Sequence, residues 1–142
     1  MTHIFYFSAL FFLIHELSWI LDPVGLTNKR RKFDTLSKLN KGKKWDQYSN
    51  EYKIELKTKF PQLFLLAWLL VGLFTIQWVT FLAFLLFSFI IIVPLSKLTK
   101  YSFIYICIQW ISSVIGFAFS VFVIINHYHL HINVLEYIKR FI

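Results

Sequence analysis

Residues 62–96 read QLFLLAWLLVGLFTIQWVTFLAFLLFSFIIIVPLS, a run of 35 residues without a Lys, Arg, Asp, Glu or His. A helix of that length would extend about 52 Å, well beyond the ~30 Å hydrocarbon core of a bilayer. The run must therefore fold back on itself. Thr75, Ile76, Gln77 and Trp78 combine polar groups with an indole that favours the membrane–water interface, which places the reversal there. This predicts two spans, at about residues 60–76 and 78–95, with both outer ends returned to one side. The alternative is a re-entrant hairpin that stops partway.

The flanking sequence has the same character. Residues 101–126 also lack any charged residue or His, and residues 4–21 are apolar apart from a few polar positions. Uncharged apolar runs of about 18 or more residues are long enough to cross a bilayer. Only a helix or a closed barrel satisfies its own backbone there, and no strand-like alternation is present. Across all 142 residues, 58% are hydrophobic, including 17 Phe and five Trp. Soluble domains hold roughly 45–50% apolar residues with glycine counted. The expected fold class is all-α: an integral membrane bundle of four transmembrane helices, with spans at about 4–21, 60–76, 78–95 and 101–126. Residues 4–21 read as a retained span, since no Lys or Arg precedes them and no small-x-small cleavage site follows. Asp22-Pro23 and Gly25 end that helix.

Charge concentrates between the first two spans. Residues 22–59 hold 11 of the 15 Lys and Arg residues and five of the seven acidic ones. Two short amphipathic helices are expected in this segment. The first carries Phe33, Leu36 and Leu39 and ends at Gly42; the second carries Trp45, Tyr48, Tyr52, Leu56 and Phe60. Residues 130–142 predict a third interfacial helix, with Ile132, Leu135, Ile138 and Phe141 spaced three apart. The positive-inside rule then makes the 22–59 loop cytoplasmic and leaves both termini outside, in a plasma or inner membrane. Lys139 and Arg140 in the tail pull against that orientation.

Two spans carry polar faces. At about 100° per residue, Ser8, Ala9, Phe12, His15, Glu16 and Trp19 share one sector of the first helix. Tyr105, Gln109, Ser112, Ser113, Gly116, Ser120 and Asn126 share one sector of the last. Ser112, Gly116 and Ser120 form a row of small residues that lets helix backbones approach closely. The two helices run antiparallel, so the faces are expected to meet, with Glu16 bonded to Gln109 or Tyr105 and Ser8 and Ala9 on Gly116. An acid at a span's centre costs about 2.5–3.5 kcal/mol to insert, so Glu16 needs a partner or a task. An interhelical hydrogen bond from the protonated acid is the favoured reading, and a proton or cation relay with His15 the alternative.

Lys29, Arg30, Arg31 and Lys32, with Lys43 and Lys44, form the candidate lipid- or partner-binding set. The expected partners are membrane lipids and another membrane protein or an acidic cytoplasmic protein. Nucleic acid is not expected, because the loop has no recognisable binding module. His127 and His131 stand four apart, a spacing metals accept, but no acid or Cys accompanies them. They read with His129 as interfacial histidines beside Tyr128, and no metal or other cofactor is expected. Cys107, the single cysteine, reads as an apolar filler, and Ser-based triads, CxxC pairs and phosphate-cradling Gly loops are missing. The sparse site chemistry favours a non-enzymatic accessory, scaffold or assembly subunit. A small transporter, channel or holin-like pore built on Glu16 and the polar faces is the alternative.

Overall fold

The computed structural model describes residues 2–142, and among them it is all-helical, without strands. Helix α1 spans Thr2–Leu21, α2 Pro23–Leu39, α3 Asn50–Thr58, α4 Phe60–Gly72, α5 Trp78–Leu86, α6 Val93–Leu98, α7 Phe103–Ile125 and α8 Val134–Phe141. Three helices are long and apolar enough to cross a membrane: His3–Leu21, Trp78–Leu98 and Phe103–Leu130.

The expected span at 60–76 is not among these three. Helix α4 has only 13 residues, a length of about 20 Å. Its missing turn is taken by the reversal at residues 73–77, where Thr75 donates its hydroxyl to Gly72 O and Trp78 N–H closes on Thr75 O. The second arm is full length. A π-helical stretch, Phe87–Ile92, joins α5 to α6, and Val93 N–H reaches back five residues to Ser88 O. Pro94 explains the wider turn, since it has no N–H for Ile90 O and its ring crowds the preceding carbonyls.

The basic segment also differs from expectation. Asp22-Pro23 does end α1, but the same pair starts α2 at once. The Asp22 carboxylate accepts from Gly25 N–H at 3.0 Å, and Pro23 occupies the first helical turn, where its missing N–H costs nothing. The cluster 29–32 is therefore helical, in a helix that starts ten residues upstream of Phe33, where the first loop helix was placed. Helix α2 ends at Asn40, and Gly42 takes the left-handed turn with φ 81° that glycine tolerates best. Ser49 caps α3 by accepting from Tyr52 N–H. Lys59 alone separates α3 from α4.

Helices α1 and α7 form the main packing pair. Their core of Tyr6, Ala9, Phe12, Phe119 and Val123 continues into Leu65, Trp68 and Leu69 of α4 and Phe81 and Leu85 of α5. Phe81 is fully buried, and Phe84 stacks on Phe119 at 4.3 Å between ring centroids. The Trp68 indole spends its polar edge on Phe5 O at 2.8 Å, tying α4 to α1.

Helices α1 and α7 pack through these faces in a register other than the expected one. Tyr6 stacks on His127, Phe12 meets Phe119, and Glu16 lies against Gly116, where an added Cβ would come 2.9 Å from the carboxyl carbon. Ser8 and Ala9 thus lie about two turns, roughly 10 Å, from Gly116. In the space that the expected register gave to Glu16 lies α2, which starts directly after α1 and packs on both α1 and α7.

Candidate functional site

The side chain that fills this space is Arg30. It lies over the Trp19 ring, with its guanidinium carbon 4.4 Å from the centroid. Its Nη1 donates to the Tyr105 hydroxyl at 2.9 Å and to Gln109 Oε1 at 3.1 Å. Gln109 passes the chain on, donating from Nε2 to Ser96 Oγ at 2.6 Å. One guanidinium so connects α1, α2, α6 and α7. Trp19, Tyr105 and Gln109 are buried, while Arg30 and Ser96 are half-buried.

One turn along α2, Asp34 meets the connection between α6 and α7. It accepts a hydrogen bond from the Tyr101 hydroxyl and pairs with Lys100 Nζ at 3.0 Å. Arg31 donates to Tyr101 O at 2.9 Å and sits over the Tyr101 ring. These bonds hold Tyr101 in a left-handed conformation, φ 60°, that a bulky residue adopts only when its surroundings enforce it. Partial burial works against an ionised Asp34, but the Tyr101 hydroxyl and Lys100 outweigh it and hold its carboxyl below the ordinary value. The Tyr101 phenol is pushed up, first by burial and then by the neighbouring Asp34 carboxylate.

A cavity of about 390 Å³ opens beside this cluster. Arg30 and Asp34 border it from α2, Ser96 and Lys97 from α6, and Lys100 and Tyr105 from the start of α7 and its preceding turn. A second cavity, about 260 Å³, lies on the other flank of Arg30, with His15, Lys29, Glu55 and Lys59 in its wall. Partial burial, then the nearby Arg30 charge, lowers the Lys59 pKa.

The sequence-predicted residues divide clearly. Tyr105, Gln109, Gly116 and Ser120 lie buried along one face of α7, and Ser8 is buried on α1. Ser112 is only half-buried, and Ser113 holds the inner position. Glu16 does not bond Gln109 or Tyr105, whose side chains Arg30 engages. It rests on Gly116, with its Oε1 3.4 Å from Nδ1 of the adjacent His15. Of the six basic candidates, only Arg30 and Arg31 join the cluster. Lys29, Lys32, Lys43 and Lys44 are exposed, and Lys32 pairs with Glu51 at 2.6 Å.

Asp34, Ser96, Lys100 and Tyr101 were not singled out from the sequence, and Gln77 was read only as part of the reversal. At the opposite end of the bundle Gln77 donates to Val123 O at 3.1 Å and accepts from Asn126 Nδ2 at 3.1 Å. Asn126 also accepts from Ile132 N–H and donates to Ile132 O, at 2.6 and 3.0 Å. The Gln77 amide inside the 62–96 run was the available signal, although it marked the turn and not the bond. His127 and His131 do not share a helical face: the helix widens over Asn126–Leu130 and His131 ends it in a left-handed conformation, φ 51°. His127 stacks on Tyr6 at 3.7 Å, and His3 Nδ1 lies 3.1 Å from the Tyr128 hydroxyl. Both described chain ends so lie away from the Arg30 cluster.

Fold and cluster together define an all-helical chain in which three helices could cross a membrane and the basic segment is packed onto one end of them. In comparisons with known proteins, no family model, no curated protein and no solved structure matches the chain.

Proposed function

We propose that this chain is a multi-pass integral membrane protein without catalytic activity of its own, an accessory or assembly subunit acting through helix packing and its basic end. Three full spans and the short α4 make up the four-helix bundle, and α8 lies flat at the opposite interface with Ile138 and Phe141 toward lipid. The observation that carries this reading is the mounting of the basic segment. It is a folded cap, keyed into the bundle by Arg30 and tied to the 99–102 turn through Asp34. A flexible tether would need none of these bonds. Exposed Phe7, Phe11, Ile14, Phe64 and Ile90 form a surface suited to lipid and ill suited to water.

In this reading thirteen of the fifteen Lys and Arg residues face the cytoplasm, and the exposed Lys29, Lys41, Lys43 and Lys44 attract an acidic protein partner. The test is replacement of these four lysines by Gln. The chain is expected to stay in the membrane through alkaline carbonate extraction, while an acidic membrane partner stops co-purifying. Unchanged co-purification contradicts the reading.

The half-buried His15–Glu16 pair beside the second cavity supports a second reading, a small transporter or channel. That reading requires conductance in liposomes that changes in Glu16→Gln.

A further inference from the structure

We propose that the cavity between α2, α6 and α7 binds one phosphate group, carried on the headgroup of an anionic phospholipid. The phosphate chemistry stands on the cavity itself; the lipid source rests on the membrane reading above.

The first argument is charge. Arg30, Lys97 and Lys100 border the cavity against a single carboxylate, Asp34. Asp34 is already committed to Lys100 and the Tyr101 hydroxyl. Among the described residues no carboxylate lies within ion-pair distance of Arg30 or Lys97. A half-buried guanidinium met only by neutral groups has lost water without gaining a counter-charge, which is costly. An anion entering from outside relieves that imbalance.

Hydrogen-bond direction is the second argument. Tyr105 and Ser96 both border the cavity, and both hydroxyls are occupied as acceptors, by Arg30 and by Gln109. Neither spends its own O–H proton on another side chain or carbonyl among the described residues. A hydroxyl has one proton to give, so the network leaves two O–H donors beside the unpaired guanidinium. Phosphate oxygens only accept, which suits a wall of two hydroxyls, one guanidinium and two ammonium groups. A cationic ligand would meet three positive side chains and one carboxylate, Asp34, already paired with Lys100.

The third argument concerns the source. Ile92 and Val93 form the wall below Ser96, at the end of the apolar helix Trp78–Leu98. A charged rim over an apolar wall fits a molecule with a phosphate above and an acyl chain below.

The experiment is native mass spectrometry of the full chain released from nanodiscs of mixed phosphatidylglycerol and phosphatidylcholine. The wild type is expected to retain one phosphatidylglycerol. Lys97→Gln, at an exposed residue outside the network, should weaken retention about fivefold. Arg30→Gln with Ser96→Ala should abolish it. Lys97→Gln also guards against misreading, because loss in the double variant alone, with full retention in Lys97→Gln, points to unfolding and overturns the proposal. Replacing exposed Lys41, Lys43 and Lys44 by Gln should leave retention intact; loss there would mean diffuse attraction and contradict a discrete site. Inorganic phosphate at high concentration should compete the lipid off. If phosphate stabilises the chain but no phospholipid is retained, the lipid assignment is wrong. Failure of the chain to enter nanodiscs at all would instead sink the membrane reading, so the two failures are distinguishable.

Discussion

The two ends of the bundle solve one problem with different chemistry. At the basic end, helices are joined by a guanidinium, a carboxylate and lysines around a cavity with more positive than negative groups. At the other end, Gln77 and Asn126 join the reversal, α7 and the tail through amide hydrogen bonds, flanked by the Tyr6–His127 stack. At the neutral end the two amides are satisfied within the chain, although the nearby Thr80 hydroxyl is buried without a partner among the described residues. At the charged end the Tyr105 and Ser96 protons and the Arg30 charge are left over, and they point to something outside the chain. Polar residues in an apolar bundle thus fall into those that close the structure and those that leave it open to a ligand.

Replacing Asn126 probes the closed end most strongly. Asn126→Leu strips Ile132 N–H and O and the Gln77 amide of partners and should destabilise the protein by about 3 kcal/mol, as expected for buried donors and acceptors left unmet. Reversible unfolding in mixed micelles would measure this; a loss below about 1 kcal/mol would show that the amides are replaceable. Next come the two packed glycines. A Cβ on Gly72 overlaps the fully buried Phe81 ring, which has nowhere to go, whereas one on Gly116 meets the half-buried Glu16 side chain, which can swing aside. Gly72→Ala should therefore cost about 2 kcal/mol and Gly116→Ala under about 1 kcal/mol in the same assay. Equal costs would remove the distinction.

The charged end should lose stability at both extremes of pH. Asp34 has its folded pKa below the ordinary 3.8, so its contribution is present above that pH and is lost as acid takes the group through its lowered value. Tyr101 is raised above its ordinary 10.0; its contribution holds below pH 10 and fades as alkali approaches the folded value. Between those limits the junction should be insensitive to pH. Tyr101→Phe should remove the alkaline response, as read by protection of residues 99–102 from proteolysis. The smallest effect belongs to Glu51→Gln: the Lys32–Glu51 pair is exposed, and such pairs contribute little. No measurable change is expected.

Helix type, the two polar faces and a reversal near residues 75–78 were legible, because apolar run length and a 100° period depend only on local sequence. Register was not. It was fixed by Arg30, which lies in a segment whose charges read as a solvated loop, and nothing in its spacing marks it apart from Arg31 or Lys32. Asp22-Pro23 was read as a stop, although the same pair also caps a new helix. Asp34, Ser96 and Tyr101 escaped notice because each is ordinary alone, and only the fold brings them together. The unequal arms of the hairpin depend on where Gly72 meets Phe81, a contact that composition does not encode.

The account rests on the basic end and the chain termini lying on opposite sides of a bilayer. In a Cys107→Ser background, Lys43→Cys and Tyr137→Cys place single thiols at exposed positions on the cap and on α8. A membrane-impermeant maleimide applied to intact cells should label Tyr137→Cys at once and Lys43→Cys only after permeabilisation. Labelling of Lys43→Cys from outside, or identical behaviour of the two thiols, would contradict the account.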